Sequence, residues 1–224
     1  MPRCEDVLVD EHLRELGSRL QGPARLKSDL LTEARHGLLD AVEAYRESGV
    51  PPTEAQRRAV VEFGSPAQLL PSWQAELAVG ALRGLSLRML VIAGVGMAAG
   101  DLTWRGASWS DGPRPPAGYL VLSNSVDWIW AGSLLLAVVG LLVVAASARS
   151  TRPGLVVAQR MVGTGLTGVL ALGMVAGCAL FVWSVSLWDA ALRWPPMIIG
   201  GVLVGGAYFS LTRATRGWLL ANAR

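Results

Sequence analysis

With 224 residues, 52% of them hydrophobic and only 17% charged, the chain is too apolar for an ordinary soluble domain, where about a quarter of residues are charged. Its net charge of +3 conceals a split, because residues 1–84 hold 13 of the 17 acidic and 10 of the 20 basic side chains. The only sizeable hydrophilic part is thus acidic and repels a phosphate backbone, which argues against direct nucleic-acid binding.

The N-terminus, MPRCEDVLVDEHLREL, has no apolar core ahead of a cleavage site and does not read as a signal peptide. Residues 1–84 read as four helices. Val9, Leu13, Leu16 and Leu20 recur at helical spacing in the first. After the Gln21-Gly22-Pro23 break, Leu26, Leu30, Ala34, Leu38, Ala41 and Tyr45 mark one face of the second, which Gly49 and Pro51-Pro52 end. Thr53 opens the third, with Gln56 completing a capping box; Phe63 closes its apolar face and Gly64 suits a left-handed C′ position. Ser65 caps the fourth, with Pro66 in its first turn and Gln68 at its third position. Leu69, Leu70, Trp73 and Leu77 line that helix, which is expected to run on into the first membrane span.

Four apolar stretches follow, at about 85–102, 128–148, 161–188 and 196–212, each close to the roughly 20 residues a spanning helix needs. With the N-terminus inside, the inner flanks hold Arg83, Arg88, Arg149, Arg152, Arg160, Arg213, Arg216 and Arg224, against Arg105, Arg114 and Arg193 outside. That bias predicts both termini in the cytoplasm. Trp104, Trp109, Trp128, Trp130, Trp183, Trp188 and Trp194 all fall at the outer ends, as an interfacial aromatic belt requires. The basic surplus beside these runs reads as topology and as contact with membrane lipids. The segment from Thr103 to Asp127 reads as an outer loop. The tail 213–224 is cytoplasmic, with Trp218, Leu219 and Leu220 placed to lie on the inner leaflet. The expected fold is all-α: a small soluble helical N-terminal domain (1–84) followed by a four-helix transmembrane bundle (85–212). Arginine dominates the basic residues, Lys27 being the only lysine, and this bias with abundant Ala, Gly and Val suits a high-GC bacterial genome and hence a bacterial inner membrane.

Three stretches carry a resemblance: LLTEARHGLLDAVEAYRESG (30–49), PTEAQRRAVVEFGSPAQLLPSWQAEL (52–77), and within it Phe63-Gly64-Ser65-Pro66. The segment from Leu13 to Leu77 resembles the HAAS signalling domain, also labelled permease prefix domain 1, over about 65 of the 224 residues. The resemblance implies a helical module ahead of several transmembrane helices, with a role in signalling or regulation from the membrane. Relatives' genes often sit beside PadR-type transcriptional regulators, and some relatives carry the module ahead of transporter permeases. The remaining chain is short for a large permease domain.

The sequence offers no catalytic residues, no cofactor-binding motif and no metal site. No Ser-His-Asp order, nucleophile elbow or phosphate-binding loop appears in a fitting context, and Gly94-x-Gly96 lies within a membrane helix. His12 and His36 fall off the apolar stripes and read as solvated; a zinc site needs more ligands than they and Cys4 supply. Cys4 and Cys178 imply no disulfide framework. Gly96/Gly100, Gly173/Gly177 and Gly201/Gly205 have the small-xxx-small spacing that lets helices approach, within the bundle or at a face for a homodimer or a membrane partner. No ionisable residue falls in the middle of a span, which counts against an ion-coupled pump. The Phe63-Gly64-Ser65-Pro66 signature reads first as a helix turn. Arg35, Asp40, Glu43, Arg46, Glu54, Arg57 and Arg58 form a mixed-charge surface; such surfaces are mostly just solvated, but this one is the best-placed contact for a cytoplasmic regulatory protein. The expectation is a non-enzymatic, membrane-anchored regulatory protein. A small transporter component or accessory permease subunit is the alternative.

Overall fold

The computed structural model describes residues 7–104, 115–150, 153–187 and 195–222. Cys4, Arg105, Trp109, Arg114, Arg152, Trp188, Arg193, Trp194 and Arg224 lie outside the described residues. Among those described, every regular element is an α-helix: α1 (Val7–Arg19), α2 (Ala24–Glu47), α3 (Pro52–Phe63), α4 (Pro66–Trp104), α5 (Ala117–Ser147), α6 (Pro153–Leu187) and α7 (Pro195–Ala221). Pro66–Ala98, Ala117–Ser147, Gly154–Leu187 and Ile198–Ala221 are each long and apolar enough to cross a membrane. The protein is all-α, with a helical N-terminal region ahead of four apolar helices.

The helices divide into two compact units, Met1–Ala81 with Gly217–Arg224, and Leu82–Arg216. In the first, Val9 and Leu13 of α1 meet Ala34, Leu38 and Val42 of α2 and Ala55 and Ala59 of α3. A second cluster joins Leu16 and Leu20 to Leu77 of α4, and Trp73 packs against both. These are i, i+3, i+4 stripes, the pattern that gives a helix one buried face. Lys27 Nζ donates to the Leu20 carbonyl oxygen at 3.2 Å, placing a cation where the α1 dipole ends. His12 departs from the expected solvated position: it is 9% exposed, edge-on to Phe63 at 6.1 Å between ring centroids, and its Nε2 has no hydrogen-bond partner. It sits beside Leu13 on the widened inner face of α1, where Phe63 arrives from the end of α3. His36 is exposed.

Helix starts follow local chemistry, with one correction. The expected Thr53–Gln56 capping box is not formed. α3 begins at Pro52 with Pro51 before it, no side chain caps its start, and Gln56 is buried. Proline at the first helical position has its φ already set and lacks the N–H that would otherwise go unpaired. At α4 the Ser65 N–H and hydroxyl both donate to Gln68 Oε1, each at 3.0 Å, the reaching-back half of a capping box. Gly64 has φ +102° and ψ 158°. The positive φ was expected at this residue, but ψ places it outside the left-handed helical region, in a conformation open essentially to glycine alone.

The second unit is built from α5 and α6 with parts of α4 and α7. Tyr119 Oη and Ser184 Oγ lie 3.0 Å apart at one end of the α5–α6 pair. Gln159 Nε2 donates to Ser147 Oγ at 2.7 Å at the other, so the two run antiparallel. From α4, Leu82, Leu85, Ser86, Met89 and Ala93 turn inward, spaced as one helical stripe. Many large apolar side chains face outward, among them Val91, Leu135, Leu142, Leu172, Val175, Val202 and Leu203. Water would penalise so much contiguous apolar surface, whereas lipid accepts it. The chain therefore reads as a multi-pass membrane protein.

Three expected boundaries move, the first being the start of α6, which lies at Pro153 and not near residue 161. α5 starts at Ala117, not near residue 128, so residues 117–127 of the expected loop are helical; Pro116 precedes a Tyr119-Leu120-Val121-Leu122 run that continues the apolar helix. α7 continues past Thr212 to Ala221. α4 runs unbroken for 39 residues, Pro71 included.

Candidate functional site

The surface of the N-terminal unit is where charge accumulates. Of the seven positions expected to face a partner, all seven are committed to ion pairs or lie exposed beside them. Glu54 accepts from Arg57 Nε and Nη2 and from Arg58 Nε, each at 2.8 Å. These two guanidinium groups hold its carboxyl down at about 2, since hydrogen bonds to the ionised form favour it. Arg57 is raised in turn by the same carboxylate. Arg46 pairs more loosely with Glu43 at 3.9 Å. Arg35 reaches across to α1, its Nε donating to Asp10 Oδ1 at 3.1 Å. Asp40 is exposed with no ion pair shown. Exposed pairs of this kind contribute little stability, but they fix the disposition of the charges on α2 and α3. Tyr45 donates to Glu62 Oε2 at 2.7 Å, and that bond to a carboxylate pushes its phenol upward.

The Phe63-Gly64-Ser65-Pro66 signature is a working turn. Phe63 stacks edge-on with Trp73 at 6.1 Å as well as with His12, Gly64 ends α3 with a positive φ, and Ser65 caps the start of α4. All four residues are accounted for by this corner between α3 and α4.

Two features escaped the sequence reading. A shallow groove of about 210 Å³ runs between α2 and α4, lined by Leu26, Leu30, Leu77 and Gly80 and rimmed by Asp29, Glu33 and Glu76. The second is a seat for the end of α7. Trp218 and Ala221 are 3% and 4% exposed, so Trp218 does not lie on a lipid surface as expected. Because α7 stays helical, Gly217, Trp218 and Ala221 share its inner face, and only Leu219 and Leu220 point outward, 48% and 53% exposed. No periodicity in α1–α4 identifies the partner of a segment almost 150 residues away.

The glycine pairs are used unevenly. Gly173 is a close-packing position: a Cβ there would lie 2.8 Å from Tyr208 Oη and 3.2 Å from Ile129 Cγ2. Gly96, Gly177 and Gly205 have no such neighbour, and Gly201 only Phe181 Cε2 at 4.0 Å. Gly100 lies in α4, but its surroundings are outside the described residues. Other tight approaches fall outside these pairs, at Gly118 against Trp183 and at Gly140 against Ser86 and Val162. Among the described residues no group of three or more His, Cys, Asp or Glu is placed to hold a metal ion.

Comparison with family models, with curated proteins and with solved structures returns no match, so the likeness to the HAAS domain rests on the residues that carry it.

Proposed function

We propose that this is a non-enzymatic, membrane-anchored signalling protein of the bacterial inner membrane, with both termini cytoplasmic. Its HAAS-like N-terminal unit contacts a cytoplasmic regulatory partner, a PadR-type transcriptional regulator by the family resemblance. The observation that carries the reading is the pairing of a separately cored, charged helical unit with four apolar helices whose outward faces suit lipid. The acid-rimmed groove between α2 and α4 adds a second surface for protein contact beside the Glu54 ion-pair cluster. A change in the packing of the apolar helices, sensed from lipid or from outside, alters the hold of this unit on its partner.

The test is affinity purification of the full-length protein from membranes of its host in mild detergent, with mass spectrometry of what accompanies it. A regulator encoded beside the gene is the expected companion. Recovery of an ATP-binding-cassette ATPase in its place moves the protein to the alternative reading, a transporter component. Recovery of neither removes the partner.

A further inference from the structure

The last turn of α7 is tied to the N-terminal helices by one side chain and by close packing. The Gln74 side chain, on α4, acts as a bridge: its Oε1 accepts from the Gln21 N–H at 3.0 Å. Its Nε2 donates to the Gln21 carbonyl oxygen at 2.6 Å and to the Ala221 carbonyl oxygen at 2.8 Å. Both amide hydrogens and the amide oxygen are thereby used, so one side chain ties the α1–α2 turn, α4 and the last turn of α7 together. Packing agrees with the bonding. A Cβ at Gly217 would lie 3.0 Å from Pro23 Cγ, so only glycine permits this approach without displacement. A Cβ at Gly22 would lie 3.5 Å from Leu77 Cβ and 3.7 Å from Ala221 Cβ. Leu77 is common to the seat and to the acid-rimmed groove.

We propose that this seat is a latch: the C-terminal turn of α7 is held in the N-terminal unit at rest, and its release is the conformational step that changes the groove. The seat takes one occupant, the segment Gly217–Ala221, because its features fit that segment: a glycine-sized gap over Pro23, and an amide donor aimed at the carbonyl of a helix end, where carbonyls lack intrahelical partners. The significance of release rests on the regulatory reading above, but the latch is testable with no partner present.

The test uses the full-length protein in membranes. In a chain carrying Cys4→Ser and Cys178→Ser, the pair Pro23→Cys and Gly217→Cys is introduced, because the 3.7 Å between Pro23 Cβ and a Cβ at position 217 suits a disulfide. Mild oxidation is expected to give an intrachain bridge, seen by mass spectrometry. In parallel, Gln74→Ala in the otherwise native chain is expected to raise amide hydrogen exchange about tenfold in residues 217–222 and at the Gln21–Gly22 turn. The same variant leaves α3 unchanged, and adding the bridge to it restores slow exchange. Absence of an intrachain bridge, unaltered exchange in Gln74→Ala, or a rise spread evenly over α1–α3 would each overturn the latch. Partner capture, scored separately, bears on the regulatory reading alone.

Discussion

Gly64 shows how much one residue can decide. Its φ of +102° excludes most side chains on steric grounds, and a Cβ there would meet only ordinary contacts with Gln68 and Leu69. The cost of Gly64→Ala is therefore one of backbone strain, about 1–3 kcal/mol, and chemical denaturation of the purified protein should show it as a lower midpoint for the N-terminal unit. Glu54 makes a pH-dependent contribution. Hydrogen bonds from Arg57 and Arg58 hold its carboxyl down at about 2, against an ordinary 4.5, so the folded state favours the ionised form. The resulting stability is present above about 4.5 and is lost as pH falls towards 2. Thermal melts of Glu54→Gln should match the native chain at low pH and fall below it near neutrality, by a small margin because the group is exposed. Gly64 was legible in the sequence, flanked as it is by Phe63 and Ser65-Pro66. His12 was not: it lies one position from Leu13, and the ring that covers it comes from Phe63, 51 residues later.

Helices themselves were the most legible level, since a 3.6-residue stripe or a long apolar run is a local property. All seven helices among the described residues follow from such patterns, while their ends were set by residues that the patterns treat as neutral. Pro52 rather than Thr53 starts α3, and Pro116 caps α5 well ahead of the apolar window. Glycine spacing was the weakest guide. Small-xxx-small pairs mark a face that permits close approach, but which face meets a neighbour depends on helices remote in sequence. Gly140 illustrates the difference from Gly96: Ser86 and Val162 crowd the first, and nothing lies within 4 Å of the second. Gly140→Leu should lower the stability of the detergent-solubilised protein by about 1–3 kcal/mol through overpacking, while Gly96→Leu should leave it near the native value. Equal losses in a thermal aggregation assay would show that the two faces are equally occupied.

For the chain as a whole, the sequence made plain that an acidic helical region is followed by four spans, because charge and hydropathy are additive along it. The seat of the α7 end was hidden, since Gln74, Gln21 and Gly217 are unremarkable until the fold brings them together. The proposed topology has a direct readout: reporters fused at either terminus should both be active on the cytoplasmic side, and an external signal from the N-terminal fusion would invert the assignment of every arginine flank. The Arg83 and Arg88 pair on α4 is the flank nearest the start of the first span, so replacing both with glutamate should weaken the orientation most.

The bond from Lys27 to the end of α1 has a practical corollary. As the sole lysine, it is the one side chain that an acylating reagent or an acetyltransferase would encounter as a primary amine. Capping that nitrogen would erase the positive charge at the Leu20 carbonyl, one residue before the Gln21–Gly22–Pro23 corner. With the α-amine blocked, a fluorophore coupled by amine chemistry would therefore report from the corner between α1 and α2, with no engineered handle.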